Sequence, residues 1–474
     1  MFNFYIISQL LLPLFTATLL LLTQNKKISY FVTTITSGIL TIFSFFILYY
    51  SYFNDYRYFF GGWLPPLGIE LLITFSNAIL LSLISLSAFL TFLLGHASFY
   101  HQRNINHSSF CSLFLIALTG TFGIVITNDF FNLYVFIEIA SIALYALTSV
   151  GTINSTKSAF DYLIIGTIAA IIILMGIGVL YSASGTLNID HFISLTPNIK
   201  NTSLLSIGSC LIIVGLALKA SLFPLHTWLI NLYTTTNNIV VPFLSAVSTK
   251  IYVFLVIKMA MFILPISNIM INTLSLLAII GAIITSFAAT QQQTIRSILA
   301  YSSLTNICYI FLVLNIQRSL EVTLLLIVSH SLVKLSLFIL TNHIIETKKT
   351  NTITSLNALF FEMPLIVILF IINAASLIGI PFTLGFISKF YLLLGLIKNH
   401  HWTITIPILV SSFMSLIYFW KIIETMIEKK ETELIPTPPL QRNYVIEYGV
   451  LILTLINILI GVAFIYTPFN FQFN

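Results

Sequence analysis

The chain is 474 residues long, and 58% of them are hydrophobic while 7% carry a charge, against roughly 25% charged residues in soluble domains. A mean hydropathy of +1.03 excludes a soluble globular enzyme and points to a polytopic membrane protein. The net charge of +6 would suit nucleic acid in a soluble chain, but here the basic residues sit in short loops between apolar runs, where they set topology.

The first residues, MFNFYIISQLLLPLFTATLLLL, lack a basic leader and a small-residue cleavage site, so their apolar run of about 19 residues reads as a retained first span. Apolar runs long enough to cross the hydrocarbon core predict about fourteen helices. Their spans are 4–22, 30–50, 71–94, 109–127, 130–150, 160–182, 203–224, 240–263, 268–289, 297–315, 320–344, 363–397 (interrupted), 402–424 and 446–467. The expected fold class is an all-α polytopic membrane protein, a single transmembrane domain over 1–474. The segment Ser51–Glu70, with Gly61, Gly62, Trp63 and the pair Pro65-Pro66, reads as a re-entrant or surface loop. Cys111, Cys210 and Cys308 each stand alone in apolar segments, which indicates small buried side chains rather than a disulfide framework or a metal site.

Fourteen spans put both termini on one side. The loops of that side hold Arg57, Lys200, Arg318 and Lys398, whereas the opposite loops hold Lys26, Lys27, Arg103, Lys157, Arg296, Lys348, Lys349, Lys421, Lys429, Lys430 and Arg442. The excess predicts that both termini face away from the cytoplasm, with the loop from Lys429 to Asn443 cytoplasmic.

Against this apolar background a few ionisable residues stand out. Lys219 lies inside an apolar helix, with Pro224 five residues later; proline lacks an amide hydrogen, so the carbonyl of Ala220 loses its helical partner. Lys250 lies about ten residues into the next run. A lysine near the bilayer centre costs roughly 2.5–3.5 kcal/mol on insertion scales, and an intramembrane ionisable residue is a functional-site hypothesis by default. Glu138 sits far from either rim of its helix. Burial disfavours its charge and a nearby cation restores it, so the group is poised to bind and release a proton; the alternative is an ion pair that staples two helices. His330 and Lys334 are four residues apart and share a helix face, and an imidazole is a natural proton shuttle. Lys389 follows a second interrupted run, in which Gly379, Pro381 and Gly385 break the helix and Pro381 frees the carbonyl of Leu377. Two interrupted helices five spans apart are the sequence mark of an internal repeat with a site at its interface. Lys258 reads as snorkelling, Asp129 and Asp161 as caps at helix starts, His226 and Trp228 at the end of the broken helix as interfacial anchors or a gate, and Arg296 as a topology determinant. There is no dinucleotide fingerprint, cluster cysteine set or haem ligand pair, so no cofactor or metal and no catalytic site of the chain's own is expected.

The motifs NDFFNLYVFIEI (128–139), GLALKASLFPLHTWL (215–229), STK (248–250), RSILAYSSLTNICYI (296–310), HSLVK (330–334) and GIPFTLGFISKF (379–390) resemble the antiporter-like membrane subunits shared by Mrp-type cation/proton antiporters, respiratory complex I and membrane-bound hydrogenases. The run ahead of Glu138 looks most like the D-type subunit of the Mrp antiporters. The resemblance implies two inverted five-helix repeats, here 109–263 and 264–425, with N-terminal helices over 1–108 and a cytoplasmic loop and last helix over 426–474. It also implies a polar axis along the membrane midplane: a Glu138–Lys219 charge pair, then Lys250, His330 and Lys334, and Lys389 as the terminal proton-exchanging lysine. The chain departs from the family pattern at Thr74, Ile230, Asn231, Asn237, Asn238, Asn306 and Cys308, positions that bear on the access route and ion selectivity. The implied function is proton translocation in a multisubunit complex of the bacterial inner membrane, as the D-type subunit of a sodium/proton antiporter. The partners would be other membrane subunits, protons, sodium and lipid, with no nucleic acid. The alternatives are a proton-pumping subunit of an NADH:quinone oxidoreductase or hydrogenase, and a non-translocating structural subunit.

Overall fold

The computed structural model describes residues 2–101, 106–199, 201–316, 319–428 and 443–466. Helices α1 (Phe2–Leu21) and α2 (Lys26–Ser51) lead into a hairpin of β1 (Tyr56–Phe59) and β2 (Glu70–Ile73), followed by α3 (Phe75–Leu94) and the short α4 (His96–His101). Next come α5 (His107–Ile126), α6 (Phe130–Ser149), α7 (Ile153–Ser184), the short α8 (Ile189–Leu195), α9 (Thr202–Lys219), α10 (Thr227–Thr235), α11 (Val240–Phe243) and α12 (Thr249–Lys258). The last group is α13 (Asn268–Thr290), α14 (Ile295–Leu312), α15 (Ser319–Lys348), the short α16 (Leu359–Glu362), α17 (Pro364–Ile378), α18 (Leu384–Lys398), α19 (Trp402–Ile427) and α20 (Tyr444–Tyr466).

Among the described residues, 13 helices are long and apolar enough to cross a membrane, α11 and α12 counting as one continuous span. Together α17 and α18 make up the interrupted run predicted over 363–397, broken at residues 379–383. Polar residues start the helices because their side chains answer amides that have no helical partner: Asp129 accepts from the Asn132 amide at 2.7 Å, Thr152 from Ser155 and Thr383 from Phe386.

The hydrophobic surface is inverted relative to a soluble protein. Phe15, Phe160, Met175, Phe287, Phe413 and Trp420 are exposed on α1, α7, α13 and α19. The central stretch of the α11–α12 span is wholly buried, and those of α14 and α15 almost wholly, so these three crossings form a shaft that touches protein on every side.

Some expectations need correction. Ser51–Glu70 is not a bare loop: it carries β1, paired antiparallel with β2 from Tyr56 opposite Ile73 to Phe59 opposite Glu70. That pairing also moves the start of α3 from 71 to Phe75, where Thr74 is the cap. The α7 helix begins at Ile153, seven residues earlier than predicted, because Thr152 and Ser155 form a capping box there; Asp161 is thus inside a helix and caps nothing. Cys111 and Cys308 are buried as expected, but Cys210 is exposed. Arg103, Lys200, Arg318 and the loop residues Lys429 to Arg442 on which much of the orientation argument rests lie outside the described residues.

Candidate functional site

Lys219 occupies the last position of α9. The backbone then leaves helical geometry, with Ser221 at φ +58°, and resumes as α10. The carbonyl of Ala220, which Pro224 was expected to free, accepts the Ser221 hydroxyl at 2.6 Å in a stretch that has already left the helix, and plays no part in holding the lysine. Lys219 points instead at α6, where Nζ donates to Ser141 Oγ at 2.9 Å, and lies 5.8 Å from the ring centroid of Tyr252 on α12. Ser141 is three residues after Glu138 and shares its helix face.

Glu138 and Lys219 lie within electrostatic reach of each other, but no direct salt bridge joins them among the described residues. Ser141 takes the ammonium one turn along, and Glu138 Oε1 is buried without a hydrogen-bond partner. Here the predicted charge pair is open rather than closed. A cavity of ≈ 10 Å³ lined by Lys219, Tyr162, Trp228 and Tyr252 lies beside the ammonium, about the space one water needs. Trp228, stacked on Tyr162 at 4.7 Å with planes 3° apart, walls this cavity and is not an interfacial anchor.

Between α11 and α12, residues Leu244–Ser248 form a π-helical segment. A π turn holds an extra residue and takes carbonyls out of the regular ladder. Side chains reach them: Tyr233 Oη donates to the Leu244 carbonyl at 3.2 Å, Lys250 Nζ to that of Ser245, and Ser331 Oγ of α15 to that of Ala246 at 2.6 Å. Lys250 is 1% exposed, which rules out snorkelling. Lys258, further along, reaches Asn77 Oδ1 of α3 at 3.5 Å.

On α15, neither ring nitrogen of His330 has a hydrogen-bond partner, and Lys250, Lys334 and Lys389 all lie within its electrostatic reach. Lys334, fully buried, donates to the Leu299 carbonyl of α14 at 2.8 Å and to Ser302 Oγ. Lys389 donates to the carbonyls of Leu377 at 2.6 Å and Ile378 at 3.1 Å. The Leu377 carbonyl is the one that Pro381 was predicted to free. Tyr309 of α14 supports the same ammonium, its ring centroid 5.2 Å away. A second cavity of ≈ 10 Å³ lies between His330 and Lys389, lined also by Asn306, Ser376 and Ser388; Asn306, one of the departures from the family pattern, thus faces the site.

At the break Gly379 has φ +95° and closes α17 in the left-handed conformation that favours glycine. Gly385 serves close approach: a Cβ there would lie 2.0 Å from the Ser376 carbonyl oxygen. The structure therefore brings the six predicted residues onto five helices, with Glu138 and Lys219 around Ser141 and the remaining four around His330. Sequence reasoning missed Ser141, Tyr252, Ser302 and Tyr309. Ser141 and Tyr252 were marked only by lying within a turn of a predicted charge, and Ser302 and Tyr309, on α14, stand near none of the six in the sequence.

Arg296 was also misread. It is buried at the start of α14, donates to the carbonyl of Thr236 at 3.2 Å and to Asn342 Oδ1 at 2.7 Å, and also binds Asn238 Oδ1. Asn238 in turn donates to Glu346 Oε1 at 2.7 Å. Arg296 thus ties the α10–α11 linker to α15, and the departure at Asn238 supplies an acceptor there. Replacing Arg296 with Ala leaves these buried acceptors unsatisfied and is expected to cost about 2–5 kcal/mol, read as a lower thermal midpoint of the purified assembly; a topology determinant would invert loops instead and leave the midpoint alone.

The chain matches the family described as NADH:quinone oxidoreductase/Mrp antiporter, TM, over residues 127–415. The N-type subunit of the NADH-quinone oxidoreductase of Desulforudis audaxviator (strain MP104C) is 36% identical over 379 residues, covering 78% of this chain and 75% of the relative. The D-type subunit of the Na(+)/H(+) antiporter of Alkalihalophilus pseudofirmus is 26% identical over 368 residues, covering 76% and 74%. Among solved structures, a chain of the membrane-bound sulfane sulfur reductase, an archaeal respiratory membrane complex, superposes with a TM-score of 0.90 at 25% identity over 97% of this chain and 94% of that one. The 13 membrane-length helices among the described residues, the two broken helices and these similarities lead to one conclusion: the chain is an antiporter-like membrane subunit and belongs to the NADH:quinone oxidoreductase/Mrp antiporter transmembrane family.

Proposed function

We propose that this chain translocates protons along Glu138, Lys219, Lys250, His330, Lys334 and Lys389 within a multisubunit complex of the bacterial inner membrane, in the place of the D-type subunit of a sodium/proton antiporter. The observation that carries the reading is the burial of four lysines and a histidine beside a single carboxylate. Such a set cannot hold all its charges at once without a large desolvation penalty, so it favours shared and moving protons. In this scheme Glu138 holds Lys219 charged. When the pair loosens, Lys219 passes its proton towards Lys250, His330 and Lys334 relay it, and Lys389 exchanges it with the aqueous phase on one side. The two cavities beside Lys219 and Lys389 suit single bridging waters. Residues 109–263 and 264–425 form the two inverted repeats around this axis, with both chain termini away from the cytoplasm.

A second reading couples the same axis to redox chemistry in partner subunits, and the 36% identity to an NADH-quinone oxidoreductase subunit favours it. Proton flux in sealed vesicles carrying the complete native assembly separates the two when wild type, Lys219→Ala and Glu138→Gln are driven first by sodium and then by NADH. Sodium-driven flux in wild type, lost in both variants, is the expected result. Flux only under NADH transfers the chain to the respiratory reading. Unchanged flux in normally assembled variants means that the buried charges are structural, and overturns both.

A further inference from the structure

The last helix contributes a polar residue to the second break. Asn457 of α20 is 1% exposed and, with Thr454, is one of two polar side chains in the apolar run VLILTLINILIGVA. Its Nδ2 donates to Ser376 Oγ, in the last turn of α17, at 3.0 Å. Its Oδ1 accepts the backbone amide of Leu384, the first residue of α18, at 3.2 Å. One carboxamide thus spans the gap between the two half-helices, using a donor and an acceptor at once. One turn on, Gly461 packs against the same gap: a Cβ there would lie 2.6 Å from the Thr383 carbonyl carbon and 2.7 Å from the Leu384 amide nitrogen. Ser376, which Asn457 holds, lines the cavity between His330 and Lys389. The neighbouring carbonyls of Leu377 and Ile378 hold the Lys389 ammonium.

We propose that Asn457 is a positioning residue that clamps the break between α17 and α18, and thereby fixes the carbonyl cradle in which Lys389 takes up and gives up its proton. The inference rests on the role proposed for Lys389, while α20 itself lies outside the stretch matched by the family. The clamp needs no charge of its own. The titratable groups facing Lys389 are His330 of α15 across the cavity and Tyr309 of α14 beneath the ammonium, with the Tyr309 hydroxyl held by Ser411 of α19 at 2.7 Å. The α17 helix and the stretch of α20 from Val450 to Ala463 carry no charged residue, and Tyr418 of α19 is buried among the same helices. Opening the clamp lets the Leu377 and Ile378 carbonyls turn away from Nζ, which removes acceptors that favour the protonated form.

The test uses the complete assembly in vesicles and records flux across a range of pH for wild type, Asn457→Leu, Gly461→Ala, Lys389→Ala and, as a control on the exposed face of α20, Leu455→Ala. Asn457→Leu is expected to lower flux roughly 10- to 100-fold and to displace the pH optimum to lower pH, because a lysine with fewer acceptors releases its proton more readily. Gly461→Ala, which forces α20 off the same gap without altering a polar group, is expected to displace the optimum in the same direction. Leu455→Ala should leave both readouts unchanged. Reduced flux with an unmoved optimum makes Asn457 merely structural and overturns the clamp, as does wild-type behaviour of Asn457→Leu. Should that variant fail to assemble, Asn457→Asp decides: it keeps the size and the acceptor for the Leu384 amide but sets a carboxylate beside the cradle, so an unmoved optimum again overturns the proposal. If Lys389→Ala itself transports normally, the transport reading has failed instead of the clamp.

Discussion

Lys334→Met is expected to abolish proton flux while leaving the complex assembled and its thermal midpoint equal to or above that of wild type. The two halves of this result come from one environment. Lys334 is fully buried, and no carboxylate forms a salt bridge with it among the described residues. An unpaired buried ammonium carries a desolvation penalty of several kcal/mol, which hydrogen bonds offset only in part. Its acceptors do not depend on it, because the Leu299 carbonyl also accepts from Ser302 Oγ at 3.0 Å and Ser303 Oγ at 2.9 Å. Methionine has a similar length and follows an irregular cavity well, so the substitution removes a penalty of about 1–3 kcal/mol without orphaning a partner. Flux, by contrast, loses the group that shares His330's helix face. A midpoint lowered in Lys334→Met would assign the lysine a structural role, and undiminished flux would take it off the axis.

The second large effect is steric. Gly385→Val is expected to destabilise the assembly by about 3 kcal/mol or more, to the point where little folded complex is recovered from membranes. A Cβ at 385 falls 2.0 Å from the Ser376 carbonyl oxygen and 2.7 Å from Ser376 Oγ; the first is fixed backbone in the last turn of α17 and the second is held by Asn457. Neither can retreat without opening the break. Gly178 on α7, where a Cβ meets nothing within 4 Å, provides the contrast: Gly178→Val should assemble normally. Equal recovery of the two variants would show that α17 and α18 can separate freely.

The parts of this design that were legible in the sequence share a physical cause. A charge in a run that must cross hydrocarbon is costly, so Glu138, Lys219, Lys250, His330, Lys334 and Lys389 stood out on composition alone. Proline and glycine break a helix by backbone chemistry that does not depend on context, so both interruptions were visible, and the carbonyl that Pro381 frees is the one Lys389 uses. What stayed hidden was decided by packing. Ser141 and Asn457 look inconspicuous because a small polar side chain in a helix can satisfy itself on a carbonyl one turn back. Arg296 looked like any loop cation until the α10–α11 linker folded over it. The segments carrying α14 and α19 are similarly apolar, yet one is almost wholly buried and the other only about one-third buried. Hydropathy reports whether a helix enters a membrane and is silent on whether its neighbours are lipid or protein. The hairpin at Tyr56–Ile73 was missed for a similar reason: its register comes from pairing across the loop and not from a local pattern.

The π segment at Leu244–Ser248 has a consequence for the span that contains it. An ordinary helix advances about 100° per residue, so a turn holding one surplus residue leaves the two flanking stretches out of phase by that angle. The apolar pattern of α11 therefore cannot be continued into α12 to say which way Lys250 points. The lysine owes its bearing to an insertion, in the way a dial is offset by one notch, and the Ser245 and Ala246 carbonyls that the offset exposes are the ones that Lys250 and Ser331 occupy. Direction along this axis is set by the register of a backbone as well as by the identity of its side chains.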